Sequence, residues 1–252
     1  MSPLSRITSR ENVRVFDHVD IHVADLAASR RFYFEALGLP TSDGEHVAWG
    51  DFGIDGCSPE HPLTRRLHIA FGAEDRDGVD AWWTRMTEAG YESDGEPGPR
   101  PQYSPDYYGA FVLDPDGNSV EAVHHGRSRA GEIDHLWLRT RDVDAIARFY
   151  ETVAPVVGIA AERRGPDFVH LRFDDGSGSF SFVGGDEPAQ NVHLAFGVRD
   201  LDAVQRFHTA ATAAGYRDNG GPGERPQYHP GYYGAFVFDP EANNVEAVVH
   251  DR

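Results

Sequence analysis

Apolar residues alternate with His and Asp near the start of the chain, where residues 18–23 read HVDIHV. A period of two is that of a strand with one buried face, so the other face of this strand presents two histidines and an aspartate. The next segment, LAASRRFYFEAL, has the apolar spacing of a helix and lies between Asp25 and Gly38. Asp is a favoured N-cap and Gly a common C-terminal stop, so the pattern predicts a strand followed by a helix.

The same order of strand, helix and further strands recurs along the chain. Alternation or short apolar runs predict strands at 46–52, 67–71, 110–113, 119–123, 133–138, 168–173, 179–183, 192–198, 235–238 and 244–249. Helices are predicted at 77–89, 143–153 and 201–214. The segment from Asp51 to Arg65 is rich in Gly, Pro and charged residues. Its apolar residues show no clear alternation, so we assign no strand to it. These elements fit four units of the order βαβββ.

The chain contains a long internal repeat. Residues 100–125 (RPQYSPDYYGAFVLDPDGNSVEAVHH) and 225–250 (RPQYHPGYYGAFVFDPEANNVEAVVH) are identical at 19 of 26 positions, at a constant offset of 125 residues. Each repeat is long enough to bury its own core. The predicted organisation is an N-terminal arm at 1–15, a first domain at 16–125, a linker at 126–131 and a second domain at 132–250.

Composition and charge narrow the range of partners. The chain has 252 residues, of which 41 are acidic and 23 are Arg, with no Lys, so its net charge is −18. This charge opposes binding to nucleic acid and to an anionic membrane surface, and we expect neither partner. The absence of Lys excludes a lysine Schiff base, and the single Cys57 excludes an intrachain disulfide. The pattern contains no signal sequence or spanning segment, so we expect a cytoplasmic protein, either a monomer or a homodimer.

Several motifs occur once in each repeat. The first repeat has DHVDIHV, LHIAF and YYGAFVLDPDGNSVEAV, and the second has DHLWLRT, VHLAF and YYGAFVFDPEANNVEAV. Together they resemble the vicinal oxygen chelate superfamily, which includes glyoxalase I, extradiol dioxygenases, fosfomycin-resistance proteins and bleomycin-binding proteins. The resemblance covers nearly the whole of both predicted domains. It implies an α+β fold with two tandem glyoxalase-like domains, each of two βαβββ units that form a cup-shaped mixed sheet around a divalent metal.

The resemblance also implies the metal ligands. Carried over by position, the ligands of the first cup are His18, His68 and Glu121, and those of the second are His135, His193 and Glu246. Two His and one carboxylate leave adjacent coordination positions open to a chelating substrate, and Fe, Mn, Zn or Ni would suit such a site. The resemblance leaves open whether each cup forms within one repeat or by exchange of half-units between repeats.

Other residues are candidates for roles beside the metal. The spacing of His229 before Glu246 follows the extradiol dioxygenase signature, although Ser104 stands at the first repeat's equivalent position and Phe replaces the signature Tyr in both. Glyoxalase I has a fourth ligand, a Glu, that the strand SFSFV lacks. The tyrosines before the penultimate strand either line a ligand site or belong to a loop packed by prolines. Candidate catalytic residues are His229, as acid/base, Tyr228 and Tyr103, and candidate substrate-binding residues are Tyr107, Tyr108, Tyr232, Tyr233, Trp137, Arg139 and His22.

Two functions are compatible with these residues. The first is a metal-dependent enzyme, dioxygenase-like or lyase/isomerase-like, that acts on a small oxygenated molecule, with aromatic compounds among the candidates. The second is a metal-independent protein that sequesters a drug or metabolite, as bleomycin-binding relatives do. Because Trp137 and Arg139 replace Asp20 and His22 in the second repeat, we expect the two cups to bind different molecules, or one of them to be inactive.

Overall fold

The computed structural model describes most of both repeats, namely residues 16–38, 46–126, 130–174 and 178–250. The predicted arm at 1–15 and the centre of the predicted linker, residues 127–129, lie outside the described residues. No helix within the described ranges is long and apolar enough to cross a membrane.

The described elements alternate between helices and strands in both repeats. In the first repeat they are β1 (His18–Val23), α1 (Leu26–Leu37), β2 (Val47–Trp49), β3 (Phe52–Gly56), β4 (His68–Gly72), α2 (Arg76–Glu88), β5 (Ser93–Pro99), β6 (Tyr108–Leu113) and β7 (Ser119–His124). In the second they are β8 (Ile133–Thr140), α3 (Val143–Val157), β9 (Ile159–Gly165), β10 (Phe168–Phe173), β11 (Ser179–Gly184), β12 (His193–Gly197), α4 (Leu201–Ala213), β13 (Asp218–Glu224), β14 (Tyr232–Phe238) and β15 (Asn244–His250). The α+β class is confirmed, and three of the four units have the predicted order βαβββ. Within the described residues the first unit, β1 to β3, has the order βαββ.

The helices begin where the sequence supplies a capping carboxylate. Asp25 accepts a hydrogen bond from the backbone N–H of Ala28 at 3.0 Å, and an Asp caps each of the other three described helices in the same way. Such a bond satisfies one of the free N–H groups of the first turn. At the other end of α1, Gly38 has φ 63°, a left-handed conformation that glycine adopts without steric cost. Helix α1 therefore has the bounds that its sequence predicts.

The strands form two mixed sheets, and each sheet contains strands from both repeats. Sheet 1 has the order β13-β14-β15-β12-β1-β3-β2, and sheet 2 has the order β5-β6-β7-β4-β8-β11-β10-β9. The two repeats join where β1 pairs antiparallel with β12 and where β4 pairs antiparallel with β8. Each cup-shaped sheet thus combines the N-terminal unit of one repeat with the C-terminal unit of the other.

Aromatic side chains pack between the two sheets. Phe16, which directly precedes sheet 1, lies 5.3 Å from Phe173 and 5.5 Å from Phe180 of sheet 2, measured between ring centroids. Phe52 of sheet 1 lies 5.4 Å from Phe71 of sheet 2. Because burial of such rings is a major source of stability, the apolar strand faces are used in this shared core. The opposite faces are left to carry polar side chains.

Three strands that the sequence pattern does not predict lie at the edges of the sheets. Strands β5 (SDGEPGP) and β13 (DNGGPGE) show no alternation and contain both Gly and Pro, and β9 (IAAERRG) is mostly polar. Pro cannot donate a ladder hydrogen bond and is tolerated mainly at sheet edges. At an edge a strand can contain Gly, Pro and polar residues, so these three strands lack the apolar alternation by which the other strands were predicted. The unassigned segment after Asp51 contains β3, which lies between β1 and the edge strand β2.

Candidate metal centres

Three neighbouring strands of sheet 2 bring a carboxylate and two imidazoles together. Ala70 of β4 lies opposite Glu121 of β7 on one side and opposite His135 of β8 on the other. His68, two residues before Ala70, points to the same face because strand side chains alternate. The small methyl group of Ala70 leaves the space between the three side chains open. We call the group formed by His68, Glu121 and His135 centre I.

The distances in centre I fit a divalent cation. Glu121 Oε2 lies 3.0 Å from His68 Nε2 and 3.5 Å from His135 Nε2. Two ligands bound about 2.1 Å from a metal at octahedral or tetrahedral angles are separated by roughly 3.0 to 3.4 Å. One ligand atom from each residue lies within 4.8 Å of the other two. The three side chains can therefore hold one ion with little movement.

Sheet 1 repeats this arrangement. Ala195 of β12 lies opposite His18 of β1 and opposite Glu246 of β15. Glu246 Oε2 lies 2.9 Å from His193 Nε2 and 3.6 Å from His18 Nε2. We call the group formed by His18, His193 and Glu246 centre II.

The grouping of ligands by repeat is therefore wrong. The expectation placed His18 with His68 and Glu121, but the sheet order separates them, and His135 from the second repeat completes centre I. The physical reason is that β1 pairs with β12 and not with β4. All six candidate ligands nevertheless lie in one of the two centres.

A buried tyrosine holds the glutamate of each centre. Tyr107 donates a hydrogen bond from its hydroxyl to Glu121 Oε1 at 2.7 Å, and Tyr232 donates one to Glu246 Oε1 at 2.8 Å. Burial raises the pKa of both tyrosines well above the usual range, and the neighbouring carboxylates raise it further. Both hydroxyls therefore stay protonated and act as donors. Each leaves the second carboxylate oxygen facing the histidines.

Glycines in the strands before these glutamates leave room for them. A Cβ atom at Gly109 would collide with Glu121 Oε1, and one at Gly234 would collide with Glu246 Oε1. Both glycines belong to the YYGAF motif found in each repeat. Glycine at this position is consistent with close approach of a side chain to the strand backbone.

A carboxylate also orients the first-strand histidine of each centre. Asp134 Oδ1 lies 2.9 Å from His135 Nδ1, and Asp17 Oδ1 lies 2.9 Å from His18 Nδ1. An aspartate that accepts from Nδ1 directs the Nε2 atom toward the centre, as carboxylates do behind metal-bound histidines. Burial alone would raise the pKa of Asp17, but hydrogen bonds from His18 and His250 lower it to about 2.

When no cation is bound, the charges within each centre favour a protonated histidine paired with ionised carboxylates. Burial opposes the charge of His135, yet hydrogen bonds to Asp134 and Glu121 raise its pKa to about 10. Burial would raise the pKa of Glu121, but its hydrogen bonds to His135 and His68 lower it to about 2. Asp17 and neighbouring carboxylates likewise outweigh burial and raise the pKa of His18 to about 9. A cation entering either centre must displace an imidazolium proton.

A large cavity lies over centre I. Its volume is about 1120 Å³, and Trp137 and Tyr103 contribute aromatic surface to it. Its arginines are Arg66, Arg100, Arg139, Arg163 and Arg172. The four acidic lining residues already have partners: Asp94 accepts from Ser119 at 2.7 Å, Glu162 accepts from Arg172 at 2.9 Å, and Glu121 and Asp134 contact the histidines. Arg66 and Arg172 form ion pairs with Glu187 and Glu162, whereas Arg139 and Arg163 form none with the described carboxylates and can face a ligand in the cavity.

The predicted aromatic residues divide between the two faces of the sheets. Tyr103 and Tyr228 are 52% and 59% exposed and lie at the rims, with ring centroids 5.1 Å from Tyr107 and 4.9 Å from Tyr232. Their predicted catalytic role stays a prediction. Tyr107 and Tyr232, expected to bind substrate, instead contact the glutamates through their hydroxyls.

Tyr108 and Tyr233 do not line the centres. Tyr108 donates from its hydroxyl to Asp80 of α2 at 2.8 Å, and Tyr233 packs against the main apolar core. Both follow a residue that faces the centre, so the alternation of the strand turns them to the helix side. Their expected role in substrate binding is corrected accordingly.

The remaining candidates lie near the centres. Trp137 lies opposite His68 in the sheet, and Arg139, two residues further along β8, also lines the cavity over centre I. His22 lies on the face of centre II and stacks on His61 at 5.1 Å. His229 Nε2 lies 3.0 Å from His250 Nδ1, and His250 Nε2 lies 3.0 Å from Asp17. His229 is thus connected to centre II through two intermediate side chains, and its acid/base role stays a prediction.

Sequence reasoning missed the residues that support the ligands. They are the alanines between the ligands, the strand glycines beneath the glutamates and the aspartates behind the first histidines: Ala70, Ala195, Gly109, Gly234, Asp17 and Asp134. All six occur in motifs shared by both repeats, namely HIAF or HLAF, YYGAF, and the dipeptide DH. Identity between the repeats was the signal that could have identified them.

Both repeats match one family of proteins by sequence. Residues 15–122 and 132–247 match the description "Glyoxalase/Bleomycin resistance protein/Dioxygenase superfamily". The chain belongs to this superfamily. The resemblance inferred from the motifs is therefore confirmed. No curated protein matches the chain significantly.

Solved structures share the fold over nearly the full chain. Glyoxalase I from Zea mays has a TM-score of 0.66 at 20% identity, covering 92% of this chain and 91% of that one. A putative dioxygenase from Bacillus subtilis subsp. subtilis str. 168 has a TM-score of 0.66 at 13% identity, covering 94% and 85%. At these identities the similarity establishes the fold alone.

Proposed function

We propose that the protein is a metal-dependent enzyme that acts on a small oxygenated anion at centre I. The observation that carries this proposal is the convergence of the six candidate ligands into two His-His-Glu groups with matching supports. Each glutamate is held by a tyrosine, and each first-strand histidine by an aspartate. Such supports are typical of built metal sites.

The ligand set suits Fe, Mn, Zn or Ni, because imidazole and carboxylate ligands are shared by these ions. In centre I, His68, Glu121 and His135 would hold the ion. When bound, it would supply a Lewis acid with open positions for a chelating substrate. The reaction classes that fit are dioxygenase-like and lyase- or isomerase-like chemistry.

The cavity over centre I supports an anionic substrate with an apolar or aromatic part. Arg139 and Arg163 can pair with carboxylate or phosphate groups, for which guanidinium is well shaped. Trp137, 40% exposed, offers a ring face beside His68. These side chains would position a substrate whose paired oxygens point toward the centre.

Elemental analysis tests the metal part of this proposal. Protein purified without chelator should contain one ion fewer per chain in His68→Ala, one fewer in His193→Ala and two fewer in the double variant. His208→Ala is a control outside both centres, since within the described residues the His208 ring pairs with the exposed Asp218 at 2.9 Å. Equal metal content in wild type and all variants, also after reconstitution, would favour the alternative of a metal-independent sequestering protein.

Binding of aromatic carboxylates tests the substrate class. Arg139→Ala should weaken the affinity about tenfold, since a charge-assisted hydrogen bond is lost. Arg148→Ala, on the exposed side of α3, should leave it unchanged. Calorimetric titration with a panel of carboxylates measures both. If Arg139→Ala changed the affinity for none of the anions, the proposed role of the arginine-lined cavity in substrate binding would be wrong.

A further inference from the structure

Centre II has neighbouring polar side chains that centre I lacks. On the shared face of β1 and β3, Asp20 lies opposite Gly53, and His22 lies opposite Asp55. The equivalent pairs in sheet 2 are Trp137 opposite Ser181, and Arg139 opposite Val183. The two centres therefore have matching inner ligands but different surroundings.

We propose that Asp20, His46 and Asp55 bind a further divalent cation beside centre II. One ligand atom from each of the three lies within 4.8 Å of the others. His46 Nδ1 lies 3.0 Å from Asp55 Oδ2, which equals the separation of roughly 3.0 Å between adjacent ligands of an octahedral ion. Imidazole with two carboxylates is a common ligand set for divalent metals.

Gly53 allows two of these side chains to meet. A Cβ atom at this position would lie 2.7 Å from His46 Cε1 and would collide with Asp20 Oδ1. Asp20 and His46 therefore converge in the space above the Gly53 backbone. In sheet 2 the equivalent residue is Ser181, which has a side chain. The space above Gly53, where Asp20 and His46 meet, is therefore found beside centre II and not beside centre I.

Asp20 connects the further site to centre II. Its Oδ2 atom lies 3.8 Å from His18 Nε2, and Asp20, His18 and His193 also lie within 4.8 Å of one another. A carboxylate has two oxygens and can contact two cations, as in paired-metal sites. Asp20 would thus be a ligand of the further site that also lies beside His18 of centre II, and the further site needs neither His193 nor Glu246.

Charge and exposure support a second cation here. The side chains of Asp17, Asp20, Asp55 and Glu246 carry four carboxylates around centre II, enough to balance two divalent ions. The side chains of His46 and Asp55 are 51% and 36% exposed. Solvent can therefore supply water ligands and a path for the ion.

Zinc stoichiometry tests the proposal in the full chain. Wild type and variants are stripped with chelator, dialysed against Zn²⁺ and measured by elemental analysis, with circular dichroism as the check on folding. His46→Ala and Asp55→Asn should each contain one Zn²⁺ fewer than wild type. The control His208→Ala removes a different His–Asp pair, in which the carboxylate rather than the imidazole is the more exposed partner, and it should contain the wild-type number.

The outcomes separate this proposal from the proposed function. If centres I and II bind no metal, His68→Ala and His193→Ala lose nothing while His46→Ala still loses one ion. If only the further site is wrong, the first two variants each lose one ion, and His46→Ala and Asp55→Asn match wild type. Loss of one ion in His208→Ala as well would show that His–Asp pairs in general bind Zn²⁺ under these conditions and would overturn the proposal.

Discussion

Replacement of Tyr107 by Phe tests how firmly the glutamate of centre I is held. The change removes one hydroxyl, which donates to Glu121 Oε1 at 2.7 Å, and leaves the ring in place. Tyr107 and Glu121 are 9% and 1% exposed, so water cannot readily replace the lost donor. The carboxylate would keep its charge and lose a buried partner.

The expected magnitude follows from the chemistry of this bond. A buried hydrogen bond to a charged group contributes about 1.5 to 3 kcal/mol to the free energy of unfolding. For a chain of this size, 1 kcal/mol shifts Tm by roughly 2 to 4 °C, so Tyr107→Phe should lower Tm by about 3 to 12 °C without metal. Loss of a residue that supports a ligand also weakens metal affinity about 10- to 100-fold.

Thermal unfolding of chelator-treated protein and Zn²⁺ titration measure these two effects. Tyr108→Phe is the matched control, because its hydroxyl donates to Asp80 in an exposed pair at 2.8 Å. Removing an exposed contact should change stability by at most about 0.5 kcal/mol. Equal effects of the two substitutions on both Tm and Zn²⁺ affinity would refute the reasoning.

Three further predictions concern pH, space and charge. The pKa values of His18 and His135 are raised to about 9 and about 10. Their ion pairs therefore contribute fully to the free energy of unfolding below about pH 6.5, and this contribution is lost as pH rises through those pKa values. Denaturant titration of metal-free protein should show this loss, on the order of 3 to 5 kcal/mol per histidine, whereas constant stability from pH 6.5 to 10 would contradict it. Gly109→Ala should displace Glu121 and remove the centre I ion but keep that of centre II, as elemental analysis would show. Glu241→Gln should lower the free energy of unfolding by about 1 to 3 kcal/mol, because the buried carboxylate accepts from a neighbouring Thr and Arg, and an unchanged urea midpoint would oppose this.

Local patterns identified most of the fold. The period of two in HVDIHV and IDHLWL placed the histidines of β1 and β8 on a polar face, and the Asp and Gly signals bounded α1. The edge strands β5 and β13 escaped detection because their backbone pairing does not require apolar side chains. Their hydrogen bonds to β6 and β14 depend on neighbours that only the tertiary structure supplies.

The pairing between repeats could not be predicted from these patterns. Strands β1 and β8 present the same alternation, so each is a chemically acceptable neighbour for β4 or for β12. The choice depends on how the whole apolar faces fit and on the short connection between His124 and Ile133. The ligand residues were therefore predictable one by one, whereas their grouping was not.

The roles of the tyrosines could have been read further. Gly109 and Phe111 face the centre, so continuing the period of two backwards puts Tyr107 on the same face and Tyr108 on the helix face. The hydrogen bond of Tyr107 to Glu121 depends on the register of β6 against β7. That register depends on the tertiary structure. The motif alone therefore could not show that Tyr107 contacts Glu121, and it suggested a residue that lines the ligand site.

The exchange of units between repeats sets an order in which the molecule can be completed during synthesis. Sheet 2 uses strands from the continuous middle of the chain, β4 to β11, whereas sheet 1 joins β1 to β3 with β12 to β15. The N-terminal unit must therefore wait for the last unit to leave the ribosome, roughly 10 to 40 s later at usual elongation rates. Centre I can assemble on a nascent chain, but centre II can close only after synthesis of Glu246, near the end of the chain.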